Sequence, residues 1–193
     1  RKMMRFTSFI TFPLMFGFGL VAKEFIVIAI GEKWLASAEL IQILCVSGAT
    51  MPLATLFSNM IISKGRSGTF FWCTFSLGLI QIVTMLLIWQ WGIRSMVIAY
   101  MLINTLWLMV WLFFVRRLTG YGYWRFFCDV MPFALAAAGV MAVSYVATLS
   151  LSNLWALLLS RFAIAVLLYY IVMKVARVKI LKECERFLFR RKR

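Results

Sequence analysis

Side chains that could do chemistry are few in this chain of 193 residues, and none of them forms a catalytic set. Histidine is absent, which removes the commonest general base and metal ligand. The six acids are Glu24, Glu32, Glu39, Asp129, Glu183 and Glu185. Each falls at the edge of an apolar block or in the C-terminal tail, so no two carboxylates face each other for acid–base work. Cys45, Cys73, Cys128 and Cys184 are widely spaced and contain no CxxC pair. They read as reduced thiols with no metal role. The stretch Lys64-Gly65-Arg66-Ser67-Gly68 is a turn with two glycines, not a nucleotide-binding loop. The expectation is no enzyme, no catalytic residue, no metal and no cofactor.

What remains is hydrogen-bonding chemistry arranged along helical faces. In the stretch 36–63, a projection at 100° per residue places Ser47, Gly48, Pro52, Thr55, Ser58 and Asn59 on one side. Val46, Leu53, Leu56, Phe57, Met60 and Ile61 fall opposite, on a lipid-like face. Such a small-and-polar stripe faces other helices or a water-filled cavity, so it reads either as a packing seam or as a substrate pathway. Further on, Tyr100, Asn104, Trp107 and Trp111 recur at spacings of four, three and four and stack on a single face. Indole rings and an amide can line a path for sugars; the other reading is helix packing, with Asn104 bonded to a neighbour. A weaker stripe joins Thr69, Cys73, Ser76 and Thr84. Three cations could attract phosphate: Lys64 and Arg66 in the turn after 63, and Arg161. The default for Arg161 is to snorkel to the nearby interface.

The elements that must position these groups are membrane-spanning helices. The composition is 64% hydrophobic and only 14% charged, with a mean hydropathy of +0.95. The apolar residues come in blocks of spanning length. An all-α integral membrane protein follows, with about six transmembrane helices in one bundle: 6–29, 36–63, 69–89, 95–115, 131–150 and 154–175. Lys23 and Glu24 interrupt the first and are expected at the membrane surface, with 25–30 a short interfacial continuation. The second would be about 42 Å long as a helix, against a hydrocarbon core of about 30 Å. Pro52 near its middle is the natural bend.

A net charge of +15 is common in proteins that bind nucleic acid, but its placement argues for a membrane protein instead. With both ends cytoplasmic, that side receives Arg1, Lys2, Arg5, Lys64, Arg66, Arg116, Arg117, Arg125 and the nine cations from Lys174 onward. The other side keeps only Lys23, Lys33, Arg94 and Arg161, as the positive-inside rule requires. Between the fourth and fifth spans, Tyr121, Tyr123, Trp124, Phe126 and Phe127 alternate with Arg116, Arg117 and Arg125, as in a segment lying among headgroups. Asp129 marks the entry to the fifth span, with Pro132 in its first turn. Residues 176–193 read as a basic cytoplasmic tail that binds anionic membrane lipids. The opening Arg-Lys, without Met, predicts a piece of a longer protein.

Several segments in order resemble the C-terminal half of polysaccharide and O-antigen flippases, in the multidrug/oligosaccharidyl-lipid/polysaccharide exporter superfamily. They are an apolar helix ending near Leu20, then IGEKWLASAELIQIL, Pro52-Leu53 inside the next helix, and the exit SNMIISKGRSG. After these come WGIRSMVIAYMLIN and RRLTGYGYWRFFCDVMPF before the last two spans. The resemblance implies a lobe of a two-lobed transporter in the bacterial inner membrane, whose N-terminal lobe lies outside this chain. Such a protein moves an undecaprenyl-pyrophosphate-linked oligosaccharide between leaflets by alternating access. It transfers no binding residue by motif. Two alternatives stay open: a multidrug or metabolite exporter of the same superfamily, and a non-transporting scaffold of a glycan-assembly complex.

Overall fold

The computed structural model describes residues 2–148 and 154–175; the basic tail at 176–193, and with it Cys184, Glu183 and Glu185, lies outside them. The described residues form six long helices: α1 (Lys2–Ala29), α2 (Leu35–Ser63), α3 (Ser67–Ile88), α4 (Gly92–Thr119), α5 (Tyr123–Ala147) and α6 (Leu154–Val175). No strand occurs among them. A chain that must satisfy every backbone polar group without water has this solution available and few others. Measured as continuous apolar helical stretches, five are long enough to cross a membrane, because Ser67–Thr119 is a single stretch of 53 residues. At 1.5 Å per residue it would reach about 80 Å if straight. It is instead the hairpin α3–α4, broken by a 3-10 turn at Trp89–Trp91 and by Gly92 at φ 85°. Phe70 stacks near Trp111 and Gln81 bonds Asn104, so the two helices run antiparallel. The protein is an all-α, multi-pass membrane protein.

α1 and α2 form the centre. α5 and α6 pack on α1, α4 packs on α2, and α3 lies outermost against α4. Hydrophobic burial gives little drive between helices in lipid, so close contact depends on small residues. A side chain at Gly19 would meet the Cβ of Cys45 at 3.4 Å, and one at Gly48 would meet the Met15 sulfur at 3.1 Å. Gly48 marks the tighter approach of α1 and α2, whereas Gly19 would admit a methyl group at ordinary contact distance. The shared core is then filled by Leu53, Phe57 and Ile61 of α2, Leu112 and Val115 of α4, and Phe126, Val130 and Phe133 of α5.

Two boundaries that bear on the site differ from expectation. α1 runs unbroken to Ala29, so 25–30 is no separate interfacial piece. α5 starts at Tyr123, eight residues ahead of the expected 131, which places Pro132 well inside it. The aromatic–arginine segment before Pro132 is therefore partly core rather than all headgroup anchor: Phe126 is buried, its ring 5.7 Å from that of Phe57.

Pro13 sits inside α1, where its missing N–H frees the carbonyl four residues earlier, at Phe9. Tyr169 of α6 donates its hydroxyl to that oxygen at 2.9 Å. An interhelical bond in a membrane contributes about 1 kcal/mol. Tyr169→Phe should lower stability by about that much. In a Pro13→Ala background, where the Ala amide re-forms the helical bond to Phe9, the same change should cost close to nothing. Melting of the four variants in detergent measures the difference.

Candidate functional site

The stripe on α2 divides. Ser47 is buried, its hydroxyl turned back onto the Leu44 carbonyl at 3.0 Å. Thr55 and Asn59 are exposed and Ser58 is partly so. Thr55 donates to the Met51 carbonyl at 3.0 Å and Ser58 to the Thr55 carbonyl at 2.9 Å. Each hydroxyl thereby satisfies its donor within the helix and turns acceptor lone pairs outward. The opposite face, expected to meet lipid, is the core: Leu53, Phe57 and Ile61 are each 0% exposed. Beyond Pro52 the polar side of α2 points away from the described helices, and a packing seam among the described residues does not account for Thr55 or Asn59.

The stripe continues into the turn that follows. Ser63, Lys64, Gly65 and Arg66 are all exposed, and Gly65 takes φ 72°, which suits glycine. Because α3 and α4 are antiparallel, Arg116 and Arg117 in the last turn of α4 lie at this same end. Lys2 and Arg5 open α1 there too. α2 passes through Pro52 as one helix of 29 residues.

The aromatic stripe of α4 faces its hairpin partner. Asn104 donates to the Tyr100 carbonyl at 2.8 Å and accepts from the Gln81 side chain of α3 at 3.3 Å. Trp111 is buried against Phe70. Asn104 and Trp107 therefore meet α3 rather than the α2 stripe, and Tyr100, one turn before Asn104, is half-buried. The packing alternative accounts for Asn104. Trp107 is half-buried, and its indole N–H is enclosed with no partner among the described residues.

Arg161 departs furthest from expectation. It does not snorkel; it is 6% exposed. Its Nη1 donates to Glu24 Oε1 of α1 at 2.6 Å and reaches the Leu20 carbonyl at 3.4 Å. Its Nε donates to Thr148 Oγ1 at 3.0 Å, and its guanidinium lies 5.0 Å from the centre of the Tyr145 ring. Glu24, expected at the membrane surface, is buried, and its Oε2 is enclosed without a partner among the described residues. Burying either charge alone would cost several kcal/mol, so each requires the other. The arginine is committed to holding α1, α5 and α6 together and is not a loose phosphate-attracting cation.

A second pair closes the other end of α1. Asp129 of α5, expected at a membrane edge, is fully buried, with Oδ1 3.2 Å from Arg5 Nε and Oδ2 accepting from the Tyr121 hydroxyl at 3.0 Å. Periodicity did not reveal either pair. The available signal was that Glu24, Asp129 and Arg161 each break an apolar run. Cys45, Cys73 and Cys128 are free thiols, and no cluster suited to a metal ion occurs among the described residues.

Residues 1–39 match a family described as "Polysaccharide biosynthesis protein". An uncharacterized membrane protein in the cps region of Klebsiella pneumoniae is 32% identical over 65 residues, 34% of this chain and 13% of that protein. The teichuronic acid biosynthesis protein TuaB of Bacillus subtilis is 31% identical over 72 residues, 37% of this chain and 15% of its own length. The lipopolysaccharide biosynthesis protein WzxC of Escherichia coli is 28% identical over 65 residues, 34% and 13% respectively. The aligned stretches thus span about one-seventh of these relatives. No solved structure matches the chain. The resemblance read from the sequence holds over these stretches: the chain is similar to membrane proteins of polysaccharide biosynthesis.

Proposed function

We propose that this chain is one lobe of a bacterial inner-membrane transporter that passes an undecaprenyl-pyrophosphate-linked oligosaccharide between leaflets by alternating access. Both ends lie in the cytoplasm in this reading. The observation that carries it is the exposure of Thr55 and Asn59 on a helix of membrane-spanning length. Polar groups that leave their own bundle inside a bilayer need a further partner. A second lobe facing this stripe would enclose a polar passage between the two, where substrate sites of such transporters form. Hydroxyl and amide groups at Thr55, Ser58 and Asn59 exchange hydrogen bonds with sugar hydroxyls. Lys64 and Arg66 at the cytoplasmic mouth attract the pyrophosphate, and Pro52 supplies a bend for the moving helix. Similarity to proteins of teichuronic acid and lipopolysaccharide biosynthesis supports the substrate class.

Deleting the gene in its host tests the assignment. Lipid-linked oligosaccharide should accumulate on the cytoplasmic leaflet while surface polysaccharide disappears. Normal surface glycan with no accumulated intermediate would show the reading to be wrong.

A further inference from the structure

We propose that the apolar slot between α1 and α6 holds one acyl chain of a phospholipid, drawn from the leaflet on the Lys174 side. The slot has a volume of about 780 Å³. Its two rims are ridges of every fourth residue on antiparallel helices: Ile10, Leu14 and Phe18 on α1, and Phe162, Val166 and Tyr170 on α6. All six are exposed, whereas the floor, built from Ala165, Tyr169 and Met141 of α5, is buried. Depth comes from Pro13, Gly17 and Ala165, which leave room that longer side chains would fill. The Tyr169 hydroxyl is already donated to the Phe9 carbonyl at 2.9 Å, and no charged residue lines the slot among the described residues. An apolar space of this kind does not hold water. Left empty, it would forfeit the dispersion contacts of its whole lining. Hydrocarbon is the filling that it accepts.

Length and charge select the occupant. The slot follows α1 from Phe9 to Val21, about 18 Å at 1.5 Å per residue. One leaflet's share of the hydrocarbon core is about 15 Å. The far end is closed by Arg161, bonded to the Leu20 carbonyl and to Glu24, so a chain lodged here spans one leaflet and stops. At the near end Lys174, in the last turn of α6, lies 5.7 Å from the centre of the Tyr170 ring, at the level of a phosphate headgroup. Lys2 opens α1 at the same end, and the one acid there among the described residues, Asp129, is held by Arg5 and Tyr121. The bond from Tyr169 to Phe9 sets α1 and α6 in direct contact. A third helix, about 10–12 Å across with its side chains, would rest on the rims without reaching the floor, whereas a single hydrocarbon chain reaches it. A chain held there would fill the seam by which α6 joins the bundle. The slot shares no residue with the α2 stripe or the Lys64–Arg66 turn, so its failure would leave the transport reading untouched.

Native mass spectrometry of the purified chain tests it, with phosphatidylglycerol as the probe and undecaprenyl phosphate at equal concentration as the competitor. One phosphatidylglycerol should be retained, at least fivefold in excess over undecaprenyl phosphate. Val166→Trp sets a large ring into the slot from its exposed rim and should cut the retained adduct about tenfold. Should that variant fail to fold, Leu14→Trp does the same from the opposite rim, with the same loss expected. Lys174→Gln removes the charge at the mouth and should lower retention about fivefold. An adduct undiminished in the folded tryptophan variants would overturn the proposal. So would undecaprenyl phosphate retained in preference to phosphatidylglycerol, or a dimer of the chain that carries no lipid.

Discussion

Arg161→Met is expected to destabilise the protein by about 3 kcal/mol, and Glu24→Leu by a similar amount, while the double substitution should be far milder than either. Removing one partner of a buried ion pair leaves the other charge without compensation, at a cost of about 3–5 kcal/mol. For a group in a spanning helix, insertion scales give about 2.5–3.5 kcal/mol. Glu24 and Arg161 fit this case, being 8% and 6% exposed and 2.6 Å apart. In the double variant both charges are gone and apolar side chains occupy the gap. Thr148, the arginine's other partner, still donates to the Ser144 and Tyr145 carbonyls. A double-mutant cycle on melting in detergent should therefore show a coupling energy above about 2 kcal/mol. Salt should hardly change it, because a buried pair is poorly screened. The contrast is Arg94 with Glu39, 3.9 Å apart on exposed side chains. Breaking that pair should move stability by less than about 0.5 kcal/mol. Additive single effects at Glu24 and Arg161 would mean that the pair does not clamp the bundle.

This clamp also shows where the sequence stopped being readable. Helix type and approximate extent were legible because apolar blocks of spanning length admit little else; α2 was expected at 36–63 and is Leu35–Ser63. The start of α5 was not legible. Residues 121–129 mix arginine with aromatic residues, the pattern of an interfacial segment, and only the tertiary contacts of Phe126 and Asp129 draw them into the core. The pairing of Glu24 with Arg161 joins positions 137 residues apart, and periodicity along one helix carries no information on a partner in another. The two faces of α2 were separated correctly, but the apolar one, read as lipid-like, holds core residues, while Thr55 and Asn59 on the polar one are exposed. In water the polar face would be the outer one by default. In a bilayer both the core and the lipid accept Leu53, Phe57 and Ile61, so polarity alone does not tell inside from outside.

The exposed polar face leads to the prediction with the largest effect on activity. Asn59→Leu and Thr55→Val should abolish surface polysaccharide, with at least a tenfold loss, while folding and membrane insertion hold or improve. Both side chains are exposed and hold up no core contact in this bundle. A substitution at such a site ordinarily changes stability by less than about 0.5 kcal/mol. In a spanning helix, Leu contributes favourably to insertion by about 0.3–0.6 kcal/mol. A purely structural helix would thus tolerate or welcome these changes. A helix that presents hydrogen-bonding groups to a passing glycan would not, because a sugar hydroxyl stripped of water would meet a methyl group where it needs an acceptor or donor. Stability and transport should move in opposite directions, which a simple loss of folding cannot imitate. The measurement pairs surface-polysaccharide quantification in the complemented deletion strain with the membrane level of each variant. Full export by the Thr55→Val/Asn59→Leu double variant at normal membrane level would remove the α2 stripe from the passage. The same substitutions at Ser47, which is buried against its own helix, should instead lower the protein level with no separate effect on export.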